Sequence, residues 1–162
     1  MGKKADILCS IDRLAKGHTL HYCTEGRWSS HELLARLLHL AGPSEVCLTS
    51  WALTEHPVRM LLKFTNEGLI TDLHLVTDKR IKVNNPNAYQ LAVANFPNML
   101  LADLHAKVLT VSNDNWKLSV VGSANFTRNK RFESGVITES EAITSFHSKW
   151  IKKIITNGMD RR

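Results

Sequence analysis

The strongest constraint on the fold is an alternation along the chain: short runs of β-forming apolar residues are separated by stretches whose apolar residues recur every three or four positions. Val46-Cys47-Leu48-Thr49 and residues 70–77 are such runs and read as strands, and residues 18–22 supply an earlier one. Between them Ser29 is followed three residues later by Glu32, a capping-box pattern, and Leu33, Leu34, Leu37, Leu38 and Ala41 form one apolar face before Gly42-Pro43 stops the helix. Pro57 can open the next helix, with Val58, Leu61 and Leu62 facing inward and Gly68 as its stop. Residues 87–96 read as a short helix ending before Pro97. This order predicts an α/β fold, a mixed, mostly parallel sheet sandwiched between helices.

The two ends of the chain follow the same logic. Ile7, Leu8, Ile11, Leu14 and Ala15 fall at helical spacing and Gly17 closes them, so residues 1–17 read as a helical extension of a single domain spanning residues 1–162. A last strand is expected over residues 134–138, then a long helix over about residues 140–157. Ile143, Phe146, Trp150, Ile151 and Ile154 form its stripe, which predicts core packing. Trp28, Trp51 and Trp116 are also expected in or near the core, with Trp51 placed at a strand end where it can line a cleft.

Composition narrows the functional classes. A hydrophobic fraction of 43% and a charged fraction of 22% are those of a folded globular protein and argue against disorder. The net charge of +6 favours polyanionic partners. None of the eight histidines shows metal-ligand spacing, so no metal and no cofactor is expected. The three cysteines, Cys9, Cys23 and Cys47, are odd in number and widely spaced, which fits reduced thiols and a cytoplasmic location. Charges at Asp6, Asp12 and Arg13 break the N-terminal apolar stretch, so it reads as neither a signal peptide nor a membrane span, and Asp6 stands where a myristoylation motif needs Ser or Thr.

The chemistry is concentrated in residues 104–133. His105 and Lys107 are two residues apart, which on an extended chain puts an imidazole and an ammonium on one face. The apolar run 118–121 follows a turn containing Asn113, Asp114 and Asn115, and together they read as a hairpin. That hairpin would return Gly122-Ser123-Ala124-Asn125 to the neighbourhood of His105. Cleavage of a phosphodiester needs a nucleophile, a proton donor for the leaving oxygen, and cationic or hydrogen-bonding clamps on the non-bridging oxygens. His105, Lys107, Ser123 and Asn125 are residue types that can do this work.

These residues resemble the phospholipase D superfamily, whose pattern is H-x-K, four residues, D, then a gap and G-S-x-N. His105-Ala106-Lys107 and Gly122-Ser123-Ala124-Asn125 match its two ends. Ser112 stands where the family has Asp, and the gap before Gly122 is longer than the family's. The resemblance implies a phosphodiesterase in which His105 forms a covalent phosphohistidine and Lys107, Ser123 and Asn125 hold phosphate oxygens. It also implies an acid after the second motif that bonds the catalytic imidazole, for which Glu133 is the match. Single-motif members of the family dimerise, so a homodimer with two apposed His105 imidazoles is implied as well.

Two basic clusters flank this region. Lys79, Arg80 and Lys82 follow a strand, at the carboxyl end where open α/β sheets bind ligands, and Arg128, Lys130 and Arg131 follow Asn125. Together they would form a groove that tracks the phosphates of a nucleic acid, DNA ahead of RNA. The leading expectation is therefore a metal-independent, homodimeric endonuclease of nucleic acid without membrane association. The alternatives are a phospholipase or phosphatidyltransferase, for which no interfacial helix is visible, and a nucleic-acid-binding module of the same fold without turnover.

Overall fold

The computed structural model describes residues 11, 14–128 and 131–159. Most of the helix expected over residues 1–17 lies outside the described residues, as do Cys9 and Lys130; Ile11 and Leu14 are buried in the core. In chain order the elements are β1 (Thr19–Cys23), α1 (Ser30–Ala41), β2 (Ser44–Ser50), α2 (Glu55–Asn66), β3 (Ile70–Asp78), α3 (Ile81–Asn84), α4 (Pro86–Asn95), β4 (Met99–Ala102), β5 (Val108–Ser112), β6 (Lys117–Gly122), β7 (Ser134–Glu139) and α5 (Glu141–Met159).

The seven strands form one mixed sheet in the order β1-β7-β6-β5-β2-β3-β4. The α/β architecture is the expected one, but the balance of pairings is not mostly parallel. Only β2 with β3 and β3 with β4 run parallel; β1 with β7, β7 with β6, β6 with β5 and β5 with β2 are antiparallel. The cause is connection length. Helical crossovers separate the first strands and permit parallel pairing, whereas the short link between β5 and β6 allows only an antiparallel hairpin.

The two sheet faces are covered differently. On one face Leu33, Leu34, Leu37 and Leu38 of α1, Val58, Leu61 and Phe64 of α2, and Ala88 and Ala92 of α4 pack on Val46, Leu48, Leu75, Leu109, Val111 and Val120. The α1 start is held by the expected box, with the Ser29 N–H donating to Glu32 Oε2 at 2.8 Å, and Gly42 ends the helix at a positive φ of 77°. On the other face, among the described residues, α5 sets Ile151 and Ile155 against Cys47, Val76, Leu100 and Val108. Cys47 and Cys23 are both free thiols, and burial pushes Cys47 up from its ordinary value.

The stripe expected on α5 is only partly core. Its inward positions are Thr144, Ser148, Ile151 and Ile155, with the Thr110 and Ser148 hydroxyls 3.2 Å apart. At about 100° per residue, Phe146 is then turned roughly 200° from Thr144. Accordingly Phe146 is 66% exposed and Ile143 41% exposed. Trp150 and Ile154 lie between these extremes and share the buried cluster with Leu104. Among the described residues no helix is long and apolar enough to cross a membrane.

Candidate active site

The site sits where the carboxyl ends of β2, β3 and β6 meet the start of β5. Residues 104–107 are an extended lead-in and not part of the strand itself. They are tied down by buried polar side chains at the strand ends. Thr49, 1% exposed, donates to the Ala106 carbonyl at 3.2 Å and accepts the Val108 N–H at 3.0 Å, so it brackets Lys107. The Lys107 carbonyl accepts the Gly122 N–H at 3.3 Å, which joins the two motifs across the hairpin. Asp78 accepts the Leu104 N–H in a long bond of 3.4 Å.

The second motif is anchored in the same way. Ser50 at the end of β2 accepts the Phe126 N–H at 2.8 Å and donates to the Ala52 carbonyl at 2.6 Å, while Thr77 at the end of β3 donates to the Ser50 carbonyl at 2.8 Å. The Asn125 carbonyl accepts the Ser30 hydroxyl at 3.1 Å. Each such buried bond contributes about 1 kcal/mol, and leaving either partner unmatched costs more. Gly122 is required by a close approach. A Cβ there would lie 2.8 Å from the Ser134 carbonyl and 2.9 Å from the Tyr22 hydroxyl, and one on Gly135 would lie 2.5 Å from that hydroxyl.

These anchors set the geometry of the reactive groups. The Lys107 ammonium lies 3.4 Å from His105 Nδ1 and 3.5 Å from Nε2, and donates to the His105 carbonyl at 2.7 Å. Burial pulls Lys107 down from its ordinary value, and the Glu133 charge opposes that shift. Burial also raises the Tyr22 phenol, with Glu133 adding, to about 12. Ser123 donates to Glu133 through a short hydrogen bond, and its oxygen accepts the Ser134 N–H at 3.1 Å. Asn125 Oδ1 is buried and has no hydrogen-bond partner among the described residues.

Within one chain, the hydrogen-bond partner of Glu133 is Ser123, and no bond from Glu133 to the His105 imidazole is seen among the described residues. Backbone pairing explains this: Ser123 N–H donates to the Ser134 carbonyl at 2.9 Å, which brings the Ser123 hydroxyl beside residue 133. Trp51 is engaged by two neighbours. Its ring centroid is 5.9 Å from that of His105, and the Arg80 guanidinium carbon lies 4.8 Å from it.

Beside His105 a cavity of about 430 Å³ is lined by Asp78, Lys79, Arg80, Asp103, Leu104 and His105. Its cations are paired, Lys79 with Asp103 at 2.8 Å and Arg80 with Asp78 at 2.6 Å. Lys82 lies 5.5 Å from the Tyr89 ring, and Arg128 and Arg131 are exposed beyond Asn125.

No protein-family model and no curated protein matches the sequence. Solved structures do match the fold. A phospholipase D family member, Nuc from Salmonella typhimurium, superposes with a TM-score of 0.65 at 19% identity, over 87% of this chain and 96% of that one. NucT from Helicobacter pylori gives 0.61 at 15% identity, over 87% of this chain and 98% of its own. The chain has the phospholipase D fold. TrmBL2, an archaeal chromatin protein whose structure shows a mode of DNA binding, gives 0.57 at 8% identity over 96% of this chain and 59% of its own.

Within this phospholipase D fold, the departure at Ser112 is absorbed locally. Its hydroxyl accepts the Lys117 ammonium at 3.2 Å. Asn113 next to it holds the longer turn: its Oδ1 accepts the N–H groups of Asn115 and Trp116 at 2.9 and 2.8 Å, and its Nδ2 donates to the Ala41 carbonyl at 2.8 Å. Sequence reading missed Thr49, Ser50, Thr77 and Asp78. The available signal was a pair of polar residues closing each of two apolar strand runs.

Proposed function

We propose that this chain is a phosphodiesterase that cleaves nucleic acid through a covalent phosphohistidine on His105. The observation that carries the reading is the apposition of the Lys107 ammonium and the His105 imidazole at the exposed end of the central strands, with the second motif joined to the first by the Gly122 to Lys107 bond. A neutral His105 nitrogen attacks phosphorus, and the leaving oxygen departs with a proton from an acid. Water then cleaves the phosphorus to nitrogen bond and regenerates the imidazole. Lys107 neutralises charge on the non-bridging oxygens, and Ser123 and Asn125 hold them in place. Lys82, Arg128 and Arg131 supply cationic contacts to flanking phosphates, and the DNA binding of the fold neighbour TrmBL2 supports DNA ahead of RNA as substrate.

The proton donor is the His105 of a second copy, since one chain carries a single such motif. The flank of α5 bearing Ile143 and Phe146 gives a dimer an exposed apolar contact, and it continues into Trp150, which shares a buried cluster with Leu104 beside His105. No divalent ion is required, because Lys107 does the cationic work. Among the described residues, the grouping of Glu45, Asp72 and His74, with ligand atoms within 4.8 Å of one another, lies at the opposite ends of β2 and β3 from His105.

Incubation with plasmid DNA, an RNA oligonucleotide and phosphatidylcholine, each with and without EDTA, tests this. Cleavage of nucleic acid that persists in EDTA is expected. Activity lost on chelation and restored by a divalent ion, or confined to phosphatidylcholine, would overturn it.

A further inference from the structure

His105 is an exposed side chain, and an exposed imidazole has rotamer freedom that a nucleophile must lose before it can attack in line. Lys107 lies against its ring nitrogens, and the ring also meets Trp51, at 5.9 Å between centroids and a 55° tilt. Trp51 in turn carries the Arg80 guanidinium over its ring at 4.8 Å, within cation–π range. Arg80 has a 61% exposed side chain, so burial does not fix it. The Asp78 carboxylate does, accepting Arg80 Nε at 2.6 Å, Nη2 at 3.1 Å and the Arg80 backbone N–H at 3.0 Å.

Asp78 is 4% exposed at the last position of β3, and its Oδ2 also accepts the N–H of Leu104, the residue before His105. One carboxylate thus reaches His105 by two routes, through the backbone at Leu104 and through Arg80 and Trp51 to the ring.

We infer that Asp78, Arg80 and Trp51 are positioning residues that orient the His105 imidazole, and that Arg80 serves this role instead of contacting substrate phosphate. The inference rests on the assignment of His105 as nucleophile. Two of the Arg80 nitrogens are taken up by Asp78, one face of its guanidinium lies on Trp51, and its charge is balanced by a buried carboxylate. Little of it is left for a phosphate. An array of this kind acts on turnover and leaves substrate affinity alone, because it sets the attack geometry and not the encounter.

The test compares Arg80→Lys, Arg80→Ala and Trp51→Leu with wild type by kcat, KM, the salt dependence of nucleic-acid binding, and the NMR shift of the His105 Hε1 proton, which the Trp51 ring current displaces. All three variants are expected to lower kcat by about tenfold to a hundredfold with KM within about twofold. Lysine should not rescue, since an ammonium cannot form the two-pronged contact with Asp78. Both Arg80 variants should move the Hε1 resonance in the direction seen in Trp51→Leu.

A raised KM, unchanged kcat and a salt slope reduced by about one would assign Arg80 to a phosphate and overturn the inference. An Hε1 resonance unmoved in Arg80→Ala would overturn it as well. Should the wild-type protein cleave no nucleic acid, the functional reading fails, and the resonance alone still decides whether Arg80 orients His105. Asp78→Asn is a further variant; because that residue is buried, the exposed Arg80 carries the test if Asp78→Asn does not fold.

Discussion

Ser123 donates its hydroxyl hydrogen to the Glu133 carboxylate, so the second-motif hydroxyl and a carboxylate ten residues further on act as one unit. The carboxylate orients the hydroxyl and also places a negative charge near Lys107, where it counteracts the effect of burial on that ammonium. Glu133→Gln removes the charge, and Lys107 then loses its proton at a lower pH. The expected outcome is a Lys107 ammonium that titrates at lower pH, followed through its side-chain resonances by NMR, while the limbs of the activity profile stay with the two imidazoles. Ser123→Ala should reduce kcat about tenfold to a hundredfold, the worth of one charge-assisted bond, without moving the Lys107 titration. Matching Lys107 titrations for Glu133→Gln and wild type would detach Glu133 from Lys107.

His105→Ala should abolish turnover and keep both the fold and nucleic-acid affinity. The covalent step depends on one imidazole, whereas affinity is spread over Lys82, Arg128 and other cations. Single-turnover cleavage and filter binding at the same ionic strength separate the two. Turnover within about tenfold of wild type would remove His105 as nucleophile.

Helix and strand order was legible because apolar periodicity is a local property: the Leu33, Leu34, Leu37 and Leu38 face and the Val46 run each declare themselves within a few residues. The candidate site residues could be singled out in the sequence because two short motifs stand on either side of one hairpin. What escaped was long-range. Nothing near Thr49 in sequence reveals that its hydroxyl reaches the Ala106 carbonyl 57 residues away, and nothing near Asp78 reveals Leu104. The rotation of α5 escaped for a similar reason. Ile143 and Phe146 have the spacing of a core stripe, but which stripe faces the sheet is decided by Cys47, Val76 and Leu100 on other elements.

At the opposite end of β2 from His105, Glu45 accepts Lys152 Nζ at 2.6 Å and lies 3.6 Å from His74 Nε2. The neighbouring His74 imidazole, together with Lys152 and against the effect of burial, holds the Glu45 carboxyl down to about 2 from an ordinary 4.5. A carboxylate with a depressed folded-state value contributes stability that is fully present above the unfolded value and is lost as pH falls through the folded one. Glu45 and Lys152 are partly exposed, so solvent screening reduces the contribution to about 1 kcal/mol, lost between about pH 4.5 and pH 2. Glu45→Gln should lower stability at pH 7 and flatten the acid side of a denaturant midpoint series. A variant with the wild-type slope across that window would show that Glu45 does not link pH to folding.

The working enzyme should be a homodimer with the two His105 imidazoles facing across its axis. The phosphohistidine route uses one neutral imidazole to attack and one protonated imidazole to release the leaving oxygen, and each chain supplies only one in the required setting. The pair then titrates as a unit, so a bell-shaped pH profile belongs to both rings together. A permanent dimer needs about 1,200–2,000 Å² of buried surface with an apolar centre. Ile143 at 41% and Phe146 at 66% exposure are suited to that centre, on a helix otherwise packed on the sheet. Phe146→Asp should dissociate the dimer and reduce specific activity in proportion, without changing the far-ultraviolet spectrum. A Phe146→Asp protein that stays dimeric would move the contact off α5. Sedimentation of wild type at micromolar concentration, paired with activity on dilution, decides the larger question: a monomer with full specific activity would refute the shared site.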